Sequence, residues 1–494
     1  MFVLLLTTLL LSHLSAAYKI AYVEHQATSA CGAGSCGPVT KAKNVRTLVD
    51  YAAKAARAGA DIIVFPEYGI TGFSSYPKRS WISGGYVESW TTASGIPCDL
   101  GRDFRDAPSV VTLSCAARAN KIALVANLVH YTVQGYVFNT DVVFDTDGTF
   151  LAFYHKQNLW GEANMDVPQD CPEVEFTPSF GVRFGLITCA DLIYQQPALE
   201  LVMKGIKHFI LPAAWSDDMA QMQVLGYAQG WSLRTGVTLT VCNQRTSTES
   251  GSGVFVAGSP ASYVFSLDSK EGTLHFAQVD AEVVGNASEP VHSKVHMPHT
   301  VPVAQREVLL NGTEEPSKIR MSGRWTFAPL AAGEVCTGSK SVCCEANITG
   351  GGAAGFVLAA VDGQDKYSDL SWGAMACAIL PCAAPGPECL SYHKPTGTLT
   401  SIILATTMPS GAWLVPEVIG TARHGSGQTL LEAGSTRNAK GGHFDFTATE
   451  GGKTRLVVQA DDEGSLSSVI IYGREFARDP LPYTCPQQSP HGNL

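Results

Sequence analysis

The spacing of apolar positions changes along the chain, and the change divides it. From Tyr18 to about residue 285, short unbroken apolar runs alternate with helically spaced ones. Residues 18–23 read as a buried strand. Val45, Leu48, Val49, Ala52 and Ala56 then recur at helical spacing, with Gly59 as a stop. Residues 61–65, Asp-Ile-Ile-Val-Phe, form the next buried strand and end at Pro66-Glu67. Such a strand–helix–strand unit closes with a right-handed crossover. A helix over 108–119 feeds a strand over 122–128. The runs 137–144 and 149–154 flank Asp145-Thr-Asp-Gly148, a hairpin signal. Strands over 182–188, 209–211 and 237–241, with helices over 197–204 and 225–234, complete an α/β pattern of layered sheets and helices.

Residues 286–330 break this pattern. They are polar and carry five Pro and several His, which reads as a linker. Beyond them the apolar runs are short and separated by Gly and Pro: 355–361, 401–405, 413–415, 455–460 and 469–472. Residues 331–494 are therefore expected to be a smaller, mostly β domain, following an α/β domain over 18–285. There is no internal repeat.

Composition narrows the class. With 494 residues, 45% hydrophobic and 16% charged, the chain can bury a sizeable core and is not disordered. The net charge of −10, without a basic block, argues against nucleic acid as a partner. Residues 1–17 read as a signal peptide. An apolar run over 2–11, too short to span a bilayer, is followed by Ser15-Ala16-Ala17 and an abrupt change of character at Tyr18. No basic residue precedes that run, so the α-amino group supplies the charge. The last residues include no hydrophobic tail, so neither a membrane span nor a lipid anchor is expected, and the mature protein is expected to be soluble. Asn286, Asn311 and Asn347 each open a glycosylation sequon, which fits a secreted, extracellular protein.

The 14 cysteines suit the same oxidising compartment. Cys31, Cys36, Cys98, Cys171, Cys336, Cys343, Cys344, Cys377, Cys382, Cys389 and Cys485 lie in loop-like or strand-edge surroundings and are expected disulfide partners of unknown connectivity. Cys115 and Cys242, each within an apolar run, read as small buried hydrophobes. Cys189 closes an apolar run and stands apart; if it is a free thiol, at least one other must be unpaired.

Three residues carry the chemistry. Glu67, Lys156 and Cys189 each follow a predicted strand, and strands of an α/β domain bring residues distant in sequence to one edge, where ligands bind. Each alone has an ordinary reading, as a loop carboxylate, a solvated lysine or a buried cysteine. Together they supply a general base, a cation and a nucleophile, the parts needed for acyl transfer through a covalent intermediate. On this reading Lys156 lowers the pKa of the thiol and binds the oxyanion, with the Ala190 N–H as a second oxyanion donor. No metal site or cofactor is expected. His292, His296 and His299 read as solvated linker histidines, and Gly350 to Gly352 precede a strand and not a helix.

The segments around these residues resemble the vanin/biotinidase family of the nitrilase superfamily. The resemblance is carried by Phe65-Pro-Glu-Tyr-Gly-Ile-Thr-Gly72, Tyr154-His-Lys-Gln-Asn-Leu159, Phe184-Gly-Leu-Ile-Thr-Cys-Ala-Asp191, Pro212-Ala-Ala-Trp215, Gly251-Ser-Gly253 and the stretch from Asn286 to Lys294. It continues through Val342-Cys-Cys344, Cys377, Cys382, Cys389 and Ile471-Tyr-Gly-Arg474, and so spans nearly all of the mature chain. It implies an αββα sandwich followed by a β-rich base domain, with Glu67, Lys156 and Cys189 as catalytic triad. Glu162, Ala190 and Trp215 resemble residues near the substrate. The implied reaction is hydrolysis of a small secondary amide, pantetheine to pantothenate and cysteamine. Hydrolysis of biotinyl amides, or a binding protein of the same fold, are the other readings; a binding protein would have no need of all three groups. Two departures bear on the acyl group: Ala190 stands where the family has an aromatic residue, and Gln195-Gln-Pro197 replaces a more acidic stretch. A small-molecule amide is the expected partner, and the protein is expected to be a monomer or dimer.

Overall fold

The alternation of apolar strands and amphipathic helices builds four layers. The computed structural model describes residues 17–479, apart from 29–35, 73–77, 91–93, 171, 218, 247, 267–271, 283–324, 368–369, 392, 409–411, 422–427, 434–441, 449–452 and 461–463. The first part contains β1 (Ala17–Glu24), α1 (Gly37–Arg57), β2 (Ile62–Val64), α2 (Lys78–Ser83), α3 (Pro108–Asn120), β3 (Ala123–Tyr131), β4 (Val137–Phe144), β5 (Phe150–His155) and β6 (Val174–Phe176). It continues with β7 (Phe184–Leu186), α4 (Glu200–Met203), β8 (His208–Pro212), α5 (Val224–Thr235), β9 (Thr238–Cys242), β10 (Ser252–Val256), β11 (Ser259–Val264) and β12 (Thr273–Asp280).

Two six-stranded sheets result, in the orders β12-β1-β2-β3-β4-β5 and β11-β10-β9-β8-β7-β6. Alternation of side chains along each strand sends one set between the sheets. Ile20, Tyr22, Ile62, Val125 and Tyr154 of the first sheet meet Phe184, Leu186, Ile210 and Val254 of the second. The other set of the first sheet, including Ile63, Leu124 and Ala126, is covered by α1 and α3 through Val45, Leu48, Ala52, Val110 and Leu113. The outer face of the second sheet packs on α5 through Phe209, Leu211, Leu239, Ala228 and Trp231. This is the nitrilase-type αββα sandwich.

The C-terminal part is a second sandwich of two six-stranded sheets. One contains Thr326–Pro329, Phe356–Tyr367, Leu370–Pro381, Ser465–Arg474, Trp413–Thr421 and Gln428–Leu430. The other contains Glu334–Cys336, Cys343–Gly351, Leu399–Thr407, Lys453–Gln459, His443–Ala448 and Glu432–Ala433. The first of these sheets is buried on both faces, which is why its strands read as unbroken apolar runs. Leu358, Ala360, Met375 and Ile379 face its partner sheet. Val357, Ala359, Ala374, Ala376 and Tyr472 join the core of the first domain.

The seam between the domains runs along α5. Gly230 on α5 comes so close to the facing strand that a Cβ there would lie 1.9 Å from the Pro416 carbonyl oxygen. Gly230→Ala is therefore expected to lower stability by about 3 kcal/mol or more through overpacking. Calorimetry should show an earlier transition in which the two domains unfold separately; one unchanged transition would remove the close approach from the account.

Several expectations change. Residues 326–329, placed in the linker by their polar surroundings, form a strand paired with Phe356–Tyr367. Cys115 is not a lone hydrophobe: it lies on α3 with only part of its surface buried and is bonded to Cys98. Its apolar neighbours Val110 and Leu113 occupy the buried face of the same helix, and that made the run look uniform. Cys336–Cys343, Cys344–Cys377 and Cys382–Cys389 are also bonded, and among the described residues Cys189 and Cys242 are free and buried. The helix over 197–204 is a wide π-type turn, Gln195–Leu199, running into the four residues of α4. The strands β11 and β12 escaped the sequence reading because β11 alternates exposed and half-buried residues and β12 is mostly half-buried, so neither carries a continuous apolar signal; β10 was missed as well. Residues 1–16, Cys31, Cys171, Cys485, Asn286, Asn311 and the three linker histidines lie outside the described residues. Asn347 is exposed on the strand Cys343–Gly351. Among the described residues, no helix is long and apolar enough to cross a membrane.

Candidate functional site

Glu67, Lys156 and Cys189 arrive at one end of the sandwich because β2, β7 and β8 are parallel within their sheets and β5 ends beside them. Glu67 follows β2 after Phe65, whose N–H still pairs with the Val125 carbonyl. Lys156 follows β5, and its N–H bonds the Asn139 carbonyl on β4 at 2.9 Å. Cys189 follows β7 and opens a five-residue 3₁₀ turn, Cys189–Ile193. Its φ of 47° is in the left-handed region, a strained setting for a residue with a Cβ. Within the turn, the Asp191 carboxylate reaches back to the Thr188 N–H at 2.9 Å.

The polar groups interlock. Lys156 Nζ lies 2.8 Å from Glu67 Oε1 and 2.8 Å from Glu162 Oε2. Asn139 Nδ2 donates to Glu67 Oε1 at 2.6 Å and to Glu162 Oε1 at 2.8 Å. Tyr68 OH also donates to Glu162 Oε1, and the Trp160 N–H donates to Oε2 at 2.8 Å. The Ala214 N–H donates to Glu67 Oε2 at 2.7 Å and also faces the sulfur of Cys189. Behind these, Asn127 donates to Asn139 Oδ1 and Asp141 Oδ1, and Thr188 Oγ1 donates to Asp141 Oδ2 at 2.7 Å. One buried network thus connects the Glu67–Lys156 pair to Thr188, the residue before Cys189.

Two carboxylates share one ammonium, and their surroundings push them apart. Burial raises the pKa of Glu67, and Lys156 opposes this only in part. Burial also works against ionised Glu162, but Lys156 and the donors Tyr68 and Trp160 N–H outweigh it and hold its pKa down. For Lys156 the cost of burial is overcome by Glu162 and Glu67, which keep it charged. Burial pushes the Cys189 thiol well up, Glu67 adds to this, and Lys156 opposes it without reversing it. Lys156 thus acts on the thiol in the expected direction, downward, while burial makes the net shift upward. Desolvation of a sulfur anion here outweighs what one shared cation returns.

Such an arrangement can deprotonate a thiol as it attacks a carbonyl, hold an oxyanion against an ammonium, and return a proton to a leaving amine. Ala190, 3% exposed, lies in the first turn of the Cys189 helix, where an amide N–H has no helical carbonyl to meet. Trp215 is 5% exposed, donates from Nε1 to the Met222 carbonyl at 2.9 Å and shares a core cluster with Cys189. Trp160 packs on the same cluster, 5.1 Å between ring centroids from Trp372 of the second domain. Sequence reasoning missed Asn139, Asp141, Tyr68 and Ala214 as parts of the site. The available signal was Asn139-Thr-Asp141 inside an otherwise apolar strand, since buried polar side chains need partners. Among the described residues, two clusters could hold a metal, Glu334/Cys336/Cys343 and Cys382/Glu388/Cys389; in both, the cysteines are disulfide-bonded.

Comparison with known proteins agrees with this chemistry. The carbon-nitrogen hydrolase family model matches residues 26–288. Biotinidase of Takifugu rubripes is 32% identical over 380 residues, 69% of this chain and 73% of that protein. Pantetheinase of Mus musculus is 32% identical over 324 residues, 61% of this chain and 60% of its own length. Pantetheinase of Bos taurus is 26% identical over 475 residues, 90% of this chain and 85% of its own, so the similarity extends through the second domain. With a site of this construction on a sandwich of this topology, the chain belongs to the vanin/biotinidase family of the nitrilase superfamily and is a hydrolase of carbon–nitrogen amide bonds.

Proposed function

We propose that the protein is a secreted thiol amidohydrolase that cleaves pantetheine to pantothenate and cysteamine through a thioester. The observation that carries this reading is the buried contact of Lys156 with both Glu67 and Glu162 beside the Cys189 thiol. In the proposed reaction Glu67 takes the thiol proton as sulfur bonds to the amide carbonyl carbon. Lys156 and the Ala190 N–H hold the oxyanion. The tetrahedral adduct collapses as Glu67 passes its proton to the leaving nitrogen, which departs as cysteamine. Water then attacks the thioester, Glu67 takes its proton, and collapse expels sulfur, which is reprotonated. Glu162 stays ionised and holds Lys156 in place. Trp160, Ala190 and Trp215 are proposed to line the acyl side. Secretion is supported by the disulfides and by the exposed sequon residue Asn347, a proposed glycan site along with Asn286 and Asn311.

Biotinyl amides are the second candidate, favoured by the alignment with a biotinidase over 73% of that protein's length. Hydrolysis of pantetheine and of biotinyl-lysine, measured side by side, decides between them. A kcat/KM higher for pantetheine by about tenfold or more is expected, and the reverse order transfers the assignment.

The electrostatics predict the pH profile. Glu67 must be ionised to accept the thiol proton, and its pKa lies above the ordinary 4.5. As pH falls through that raised value the base is lost, so kcat/KM should decline on the acid side at a pH above 4.5. An acid limb at or below the ordinary carboxylate value would remove Glu67 from this role.

A further inference from the structure

The Cys189 turn is held at both ends, and the second hold comes from the other domain. Its first end is tied within the catalytic domain, where Thr188 Oγ1 bonds Asp141 and the Thr188 N–H bonds Asp191. Its last residue is Ile193, whose carbonyl oxygen accepts a hydrogen bond from Arg474 Nε at 2.8 Å. Arg474 closes the strand Ser465–Arg474 of the second domain and is 0% exposed.

The guanidinium is itself fixed. Arg474 NH2 bonds Asp479 at 2.9 and 3.1 Å, and Asp479 Oδ1 also accepts the Gly373 N–H at 2.8 Å. The rings of Tyr194 and Phe476 lie 5.3 and 5.2 Å from its central carbon. A planar fork can meet a carbonyl and a carboxylate together, which an ammonium cannot do in the same geometry. The seam is otherwise apolar packing, through Ala374, Ala376, Ile470 and Tyr472, with a few further hydrogen bonds, among them the Met222 N–H to Glu417 at 2.8 Å and Gln229 to the Leu431 carbonyl at 2.6 Å, none of which reaches the Cys189 turn. A buried cation is a costly means of attaching one apolar face to another, and an apolar residue of similar volume would serve as well. What the cation does that an apolar residue cannot is hold a carbonyl at the end of the turn, where the helix itself offers no donor.

We infer that Arg474 is a positioning residue for amide hydrolysis. Through Ile193 it fixes the far end of the Cys189–Ile193 turn, and so the placement of the Cys189 sulfur and the Ala190 N–H against Glu67 and Lys156. A single turn with a left-handed first residue keeps its shape only if its surroundings impose it. Displacement of a reacting atom by about 1 Å can cost on the order of 100-fold in rate. The second domain thereby acts on the chemistry without touching substrate. The inference rests on Cys189 being the nucleophile.

The test uses the full chain and the variants Arg474→Gln, Arg474→Lys, Asp479→Asn and Cys189→Ala. The readouts are kcat and KM on pantetheine or biotinyl-lysine, whichever the enzyme turns over, and the rate of Cys189 alkylation by iodoacetamide, each per folded molecule from near-ultraviolet circular dichroism. For Arg474→Gln, kcat is expected to fall about 30- to 100-fold, with KM changed less than about threefold and alkylation altered in parallel. Arg474→Lys should recover part of the loss. Asp479→Asn, which keeps an acceptor for Gly373, should lower kcat about 3- to 10-fold at constant KM. Full kcat in folded Arg474→Gln, or losses that only follow the unfolded fraction, overturn the inference. If Arg474→Gln does not fold, full kcat in Asp479→Asn overturns it. Turnover by Cys189→Ala would instead overturn the nucleophile assignment on which it rests.

Discussion

Cys189→Ala is expected to lower amide hydrolysis by at least about 10⁴-fold while leaving the fold in place. Cys189 is 6% exposed and belongs to a core cluster, but removal of its sulfur deletes one atom and leaves the backbone of the turn to the same holds on Thr188 and Ile193. A stability cost of about 1 kcal/mol follows from the small cavity. The rate cost is large because no neighbouring group can replace the sulfur: Glu67 lacks its nucleophilicity, and Lys156 is held protonated by two carboxylates. Mass spectrometry of the wild-type enzyme quenched during turnover should show an added acyl group that hydroxylamine removes, absent from the variant. Turnover within a factor of about ten of wild type would exclude the covalent route.

The second large effect is expected at Lys156. Lys156→Met keeps length and apolar bulk but leaves Glu67 and Glu162, 1% and 8% exposed, without their cation. Breaking a buried pair on one side costs about 3–5 kcal/mol, and loss of a charged oxyanion donor lowers kcat by about 10³-fold. The pH dependence gives the sign. In the wild-type protein Glu162 has a depressed pKa, so its contribution is present above the unfolded carboxylate value and is lost as pH falls through the folded one. In the variant both carboxyls favour the neutral form in the folded state, so stability should rise as pH falls from neutral towards the ordinary carboxylate range. Thermal melts at several pH values check this. Parallel stability curves for the two proteins would show that Lys156 does not carry the charge balance of the site.

Much of this site was legible in the linear chain. Pro66-Glu67, His155-Lys156 and Thr188-Cys189 each follow an apolar run of strand length, and strand ends that share a direction gather at one edge of each sheet; the packing of the two sheets then brings those edges together. The upward shift of the thiol was not legible, because a lysine in sequence carries no information about how many carboxylates will share it or how deeply the sulfur is buried. Cys115 illustrates a related limit: an apolar run shows that a helix has a buried face, and does not show on which side a given cysteine lies.

The sequence by itself determined the alternation of strands and helices and singled out Glu67, Lys156 and Cys189, the proposed base, cation and nucleophile, as groups at strand ends. These follow from local periodicity and from side-chain chemistry, which neighbours along the chain already fix. Tertiary structure decided the rest. It placed Asn139 and Tyr68 on Glu162, turned the Ala214 N–H toward both Glu67 and Cys189, set the carboxyl pKa values apart, and brought Arg474 onto the Ile193 carbonyl 281 residues away. Desolvation, shared charge and contacts across a domain seam depend on which groups meet in space.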